Sequence, residues 1–97
     1  MAEISFELYN NALVQQMVGA QDANLKSLEK ILGVEIVSFG NTITVKGDKN
    51  AVEQAKTAID VLYNKVSRGI EIDEQEVKAA VRLSGDNVDT QTAQDLS

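Results

Sequence analysis

Ile4, Phe6 and Leu8 alternate with Ser5 and Glu7, the period of a strand with one buried face. The period then lengthens. Leu13, Val14, Met17 and Val18 recur at helical spacing within residues 11–18, behind Asn10-Asn11, whose side chains can stop the strand and cap the helix. Gly19 ends that helix. A second helix is predicted next, with Asp22 as its N-cap, Leu25, Leu28, Ile31 and Leu32 as its apolar stripe, and Gly33 as the left-handed residue that closes it. Val34–Phe39 and Thr42–Lys46 are runs rich in β-branched residues on either side of Gly40-Asn41, a two-residue turn with glycine first that suits a type II′ hairpin.

The second half of the chain is more regular. Val52, Ala55, Ile59, Leu62 and Val66 predict a helix over residues 50–68, with Asn50 and Glu53 as a capping box, Lys65 and Arg68 near its carboxyl end and Gly69 as its stop. Asp73 and Glu76 form a second box, and Ile72 and Val77 a hydrophobic staple, for a last helix over about residues 73–83. From Ser84 onward Ser, Gly, Asp, Asn, Thr and Gln predominate, so residues 84–97 read as a flexible acidic tail or linker behind one domain of residues 1–83. The order β-α-α-β-β-α, plus one additional C-terminal helix, is not that of repeated βαβ units. It predicts an α+β fold in which helices pack on one face of a three-stranded sheet and bury Ile4, Phe6 and Leu8. The helix–turn–helix edge and one strand remain to form a groove.

Composition narrows the chemistry. With 97 residues there is room for one small core, and with no cysteine and no histidine the chain lacks disulfides, thiolate metal sites and the commonest general base. No pair of carboxylates, lysines or hydroxyls stands at a recognisable catalytic spacing, so the chain by itself reads as non-enzymatic. No apolar run approaches the roughly 20 residues that span a bilayer, and Met1-Ala2-Glu3-Ile4 lacks the basic and apolar regions of a signal peptide. A cytoplasmic domain with no membrane partner is expected. Glu71, Asp73, Glu74 and Glu76 are spaced for helix capping rather than for a calcium loop, and no metal is expected.

The net charge is −6. Residues 1–83 hold nine basic and twelve acidic side chains, 9 − 12 = −3, and Asp86, Asp89 and Asp95 supply the other −3. Phosphate neutralisation dominates nucleic-acid affinity, so this balance argues against tight, non-specific binding.

One segment nevertheless points to a phosphate ligand. Gly19-Ala20-Gln21-Asp22 joins two helices, and a glycine turn ahead of a helix permits close approach of a sugar–phosphate backbone to free amides. Asp22, read as the helix cap, fills those amides with its own carboxylate and adds a negative charge. Two unit charges about 5 Å apart repel by roughly 3 kcal/mol at an effective dielectric of about 20, or about a hundredfold in affinity. Lys26 and Lys30, at i and i+4, are either a basic edge beside the turn or a solvated helix face. Phe39 either stacks on a base or packs under the hairpin, and Tyr9 and Tyr63 are expected to be half-buried edge residues. The candidate nucleic-acid residues are Gly19, Ala20, Gln21, Asp22, Lys26, Lys30 and Phe39; catalytic, cofactor and metal residues are not expected.

Residues 3–68 resemble a KH domain of the minimal β-α-α-β-β-α type. Val18 and Gly19 match the apolar residue and first glycine of that family's Gly-x-x-Gly turn. Asn24, Leu25, Lys26 and Leu28 match its following helix, and Gly33, Val34 and Ile36 its helix stop and central strand. Asp22 departs from the second glycine, and Ala20 and Gln21 stand where a basic residue is often found. With Arg68-Gly69-Ile70-Glu71-Ile72-Asp73 and Glu76–Leu83 included, nearly the whole chain except the tail is similar to the N-terminal domain of PhoH-family proteins. In that family a P-loop ATPase domain follows, and no G-x-x-x-x-G-K-[ST] motif occurs here. The resemblance implies a non-catalytic domain of a longer protein of RNA metabolism, with ATP and magnesium held by the domain this sequence lacks. Its implied partners are RNA, weakly bound, its own ATPase domain, a second copy or an RNA-processing protein.

Overall fold

In the computed structural model the chain runs β1 (Ala2–Glu7), α1 (Asn11–Val18), one 3-10 turn (Ala20–Asp22), α2 (Ala23–Leu32), β2 (Glu35–Phe39), β3 (Thr42–Gly47), α3 (Lys49–Ser67) and α4 (Glu74–Ala93). The structure describes the backbone of residues 1–93 and the side chains of residues 1–85. The architecture is the expected α+β fold, a three-stranded antiparallel sheet with four helices.

The strand order is β1-β3-β2, so β3 is central and β2 is an edge, where the resemblance had put the central strand at Val34–Ile36. The reason lies in the pairings. The hairpin makes β2 and β3 neighbours, with Phe39 opposite Thr42, and β1 closes on the other side of β3, with Ile4 opposite Val45 and Phe6 opposite Ile43. Ile43 and Val45 are accordingly buried completely, whereas Ile4 and Phe6 at the edge are only half-buried. Glu35, Val37 and Phe39 alternate with buried Ile36 and half-buried Ser38, so they face away from the helices.

The helices supply the rest of the core, with Val14, Met17, Leu28, Val52, Ile59, Leu62 and Val77 at 1% exposure or less. Asn10 caps α1 as expected, its Oδ1 accepting from the N–H of Ala12 at 2.9 Å and of Leu13 at 3.2 Å. The cap of α3 stands two residues before the one in the proposed box: it is Asp48, not Asn50, its carboxylate accepting from the Asn50 N–H at 3.2 Å. Asp73 caps α4 through the Glu76 N–H at 3.0 Å.

α4 continues to Ala93, ten residues beyond the end marked by its apolar positions. Ser, Gly and Asn are poor helix formers, which is why this stretch reads as a linker. Packing overrides that preference at its start. Ser84 is buried, with its Oγ donating to the Val81 carbonyl at 2.8 Å, and Gly85 leaves room for Gln54, whose Nε2 lies 3.0 Å from where a Cβ would stand. No proline interrupts the segment. The last part of the expected tail, residues 94–97, lies outside the described residues.

Candidate nucleic-acid interface

Gly19 ends α1 with its N–H donating to the Gln15 carbonyl at 3.1 Å. Its φ of 81° and ψ of 174° fall in a region that essentially only glycine populates. Space imposes the same choice, because a Cβ here would sit 2.8 Å from Asn24 Nδ2. Asn24 is 8% exposed, and its Nδ2 donates to the Met17 carbonyl at 2.9 Å and, more weakly, to the Ile72 carbonyl at 3.4 Å. One buried amide thus joins the end of α1, the first turn of α2 and the loop ahead of α4. The sequence reading missed this role for Asn24; the only signal was a polar residue beside the apolar stripe of α2.

Gln21 (φ 54°, ψ 32°) and Asp22 (φ 58°, ψ 28°) are both left-handed, two consecutive non-glycine residues in a conformation that costs most L-residues roughly 1–2 kcal/mol each. The reading of Asp22 as an N-cap is therefore corrected. A capping residue needs extended backbone, as Asn10 (φ −115°, ψ 111°) and Asp48 (φ −65°, ψ 142°) have, and the Asp22 carboxylate accepts no hydrogen bond from α2. Asp22 instead keeps the left-handed backbone that a second glycine would take, and aspartate is among the few residues that tolerate it. The turn closes through the Asp22 N–H to the Gly19 carbonyl at 3.1 Å and the Ala23 N–H to the Ala20 carbonyl. Ala20, Gln21 and Asp22 are exposed, and the main-chain N–H groups of Ala20 and Gln21 have no acceptor among the described residues. Of the two effects expected of Asp22, filling the amides and adding a negative charge, only the charge remains.

Lys26 and Lys30 follow on α2, both exposed, and border a furrow of about 370 Å³ with Ser27, Ile31 and Glu74. Ile31, expected in the buried stripe, is 42% exposed in that furrow. Glu29 points to the other side, where Oε2 accepts from the Ile36 N–H at 2.7 Å on the unpaired edge of β2. The structure does not bring Phe39 to this cluster. It is 84% exposed on the sheet face turned away from the helices, neither packed under the hairpin nor next to the turn. Tyr9, at 97% exposure, is not half-buried as expected, whereas Tyr63 is, its hydroxyl accepting from the Asn10 N–H at 2.9 Å. The acidic run at 71–76 does not converge: Asp73 caps α4, Glu74 pairs with Lys78 at 3.7 Å and Glu76 with Lys65 at 2.6 Å.

The model of the KH domain family matches residues 4–61, well over half the chain. A PhoH-like protein of Bacillus subtilis (strain 168) is 35% identical over 71 residues, which cover 73% of this chain. The chain spans about 22% of the length of that relative. No solved structure matches the chain. Among the described residues no helix is long and apolar enough to cross a membrane. The helix–turn–helix geometry at Gly19–Asp22, the three-stranded sheet and these two likenesses agree: the chain belongs to the KH domain family, as a KH-like domain of the PhoH kind.

Proposed function

We propose that this domain gives weak contact to RNA, or to another single-stranded nucleic acid, through the turn at residues 19–22, and does so as part of a cytoplasmic PhoH-type ATPase of RNA metabolism. The P-loop domain that would bind ATP and magnesium lies outside this sequence. The observation that carries the reading is the turn itself: glycine-only backbone at Gly19, left-handed backbone at both Gln21 and Asp22, and exposed amides at Ala20 and Gln21. Strain of this kind persists where surrounding structure holds it, here Asn24, and it favours a ligand-facing role over a purely structural turn. Gly19, Ala20 and Gln21 supply close approach and amides, Lys26 and Lys30 supply charge, and Asp22 limits affinity.

The test is a titration of the domain with a fluorescein-labelled decauridylate at low salt, read alongside amide NMR shifts. Saturable binding at micromolar protein, with shifts at Gly19–Lys26 and binding up to about a hundredfold tighter by Asp22→Asn, is expected. A flat titration at high micromolar protein, with the turn amides unmoved, would sink the reading.

A second reading, an assembly module that docks the ATPase domain, an RNA-processing protein or another copy, is favoured by the outer sheet face. There Val37 (50%) and Phe39 (84%) stand exposed on one strand, flanked by Glu35. Light scattering of the domain alone and mixed with the separately expressed ATPase domain distinguishes the two. A monomer that binds RNA and ignores the ATPase domain rules the second reading out.

A further inference from the structure

We propose that Asn24 is the positioning residue of the turn, and that through its carboxamide the seating of α4 sets how tightly the turn holds a nucleic acid; this rests on the nucleic-acid reading above. A polar side chain in the first turn of a helix has water within easy reach, yet Asn24 is buried. Its carboxamide packs against Gly19, with Nδ2 2.8 Å and Cγ 3.2 Å from where a Gly19 Cβ would stand. The backbone that presents the turn amides therefore rests on this group.

The carboxamide is held by its nitrogen. Nδ2 donates to the Met17 carbonyl at 2.9 Å and to the Ile72 carbonyl at 3.4 Å, and no donor among the described residues reaches Oδ1. Met17 lies in the last turn of α1, the helix that leads into the turn. The Ile72 acceptor is 48 residues away, and its place is set by α4. Asp73, the next residue, caps that helix through the Glu76 N–H at 3.0 Å. Val77 and Ala80 bury it in the core, and Glu76 pairs with Lys65 on α3 at 2.6 Å. Displacing α4 would draw the Ile72 carbonyl away from a bond that is already long. A buried N–H would then lack an acceptor unless the carboxamide turned, and a turned carboxamide would withdraw the support from Gly19. Gln21 and Asp22 would relax from their left-handed backbone, because such strain persists only where surrounding structure holds it. The exposed amides of Ala20 and Gln21 would lose their alignment with it. α4 lies beyond residues 4–61, so a helix outside the KH unit reaches the binding turn through one side chain.

The whole chain is titrated with fluorescein-labelled decauridylate at low salt as wild type, Asn24→Ala, Asp73→Ala and the double variant, with Val45→Ala as a core truncation on β3 for comparison. The amide spectrum of each free variant establishes that it folds. Asn24→Ala is expected to weaken binding about tenfold, and Val45→Ala, which lowers stability alone, by less than about twofold. Asp73→Ala should weaken binding about threefold, although losing an acidic side chain would by charge alone strengthen it. In the Asn24→Ala background the same change should have no effect, because the link is already cut. Added decauridylate should shift the amides of Ile72–Val77 together with those of Gly19–Lys26 in the wild type, and only the second set in Asn24→Ala. If the turn amides shift but Asn24→Ala binds like the wild type, or the effects of the two substitutions multiply, the coupling is overturned and the turn reading survives. Should Asn24→Ala fail to fold, Asp73→Ala decides alone, and binding at or above wild-type affinity overturns the coupling. If the turn amides of the wild type do not shift at all, both fall.

Discussion

From Asp48 to Ser67 the backbone is unstrained, extended at Asp48 and helical through Lys49–Ser67. Aspartate caps from extended backbone, a 3,4,3,4 apolar stripe faces the core, and Ile59 and Leu62 are buried. From Gly19 to Asp22 the preferences are overruled: a glycine-only conformation is followed by two left-handed residues that are not glycine. Both segments start a helix and both place an aspartate just before it. Only one of those aspartates caps. The difference teaches that a residue's identity at a helix start is insufficient, because φ decides whether its carboxylate reaches the amides. It also marks the turn as the place where, among the described residues, non-glycine residues hold left-handed backbone.

That contrast can be broken most severely in the core. Ile59→Ala should cost about 2–5 kcal/mol in urea unfolding, since Ile59 is fully buried in α3; a loss below about 1 kcal/mol would mean that α3 does not organise the fold. Next comes a pair of helix-ending glycines. Gly19→Ala should cost about 2–3 kcal/mol, from its backbone region and the clash with Asn24, whereas Gly33→Ala, with nothing within 4 Å of the added methyl, should cost about 1 kcal/mol. Equal losses at the two positions would dismiss Asn24 as the reason for Gly19.

Asp48→Ala should cost about 1 kcal/mol by loss of its cap. Asp22→Gly is expected to have the smallest effect and the opposite sign. It should gain about 0.5 kcal/mol, because glycine relieves the left-handed strain more than it adds unfolded-state entropy. If Asp22→Gly instead unfolds as easily as Asp48→Ala, Asp22 caps α2 after all.

Most of the fold was legible because it rests on short-range periodicity. Alternation at Ile4, Phe6 and Leu8 marked β1, the apolar spacing within residues 52–66 marked α3, and the pair Gly40-Asn41 fixed the hairpin register. The first residues of the candidate site were legible for the same reason, as a glycine between two helical patterns. What escaped was non-local. The partner of Glu29 is seven residues away on another element, and the weaker of the two acceptors of Asn24 is 48 residues away. The continuation of α4 past Leu83 goes with the burial of Ser84 and with Gly85 leaving room for Gln54, which no local propensity records.

By itself the sequence determined the number, kind and order of the elements through residue 83 and the position of the turn, because those follow from side-chain period, glycine and capping groups along a few adjacent residues. Only the tertiary structure decided that β3 lies in the middle, that Phe39 faces away from the turn, and that Asp22 holds a left-handed backbone without capping. Each of those outcomes depends on which surfaces meet across the chain, and strand order, exposure and backbone strain are settled by that packing rather than by any neighbour in sequence.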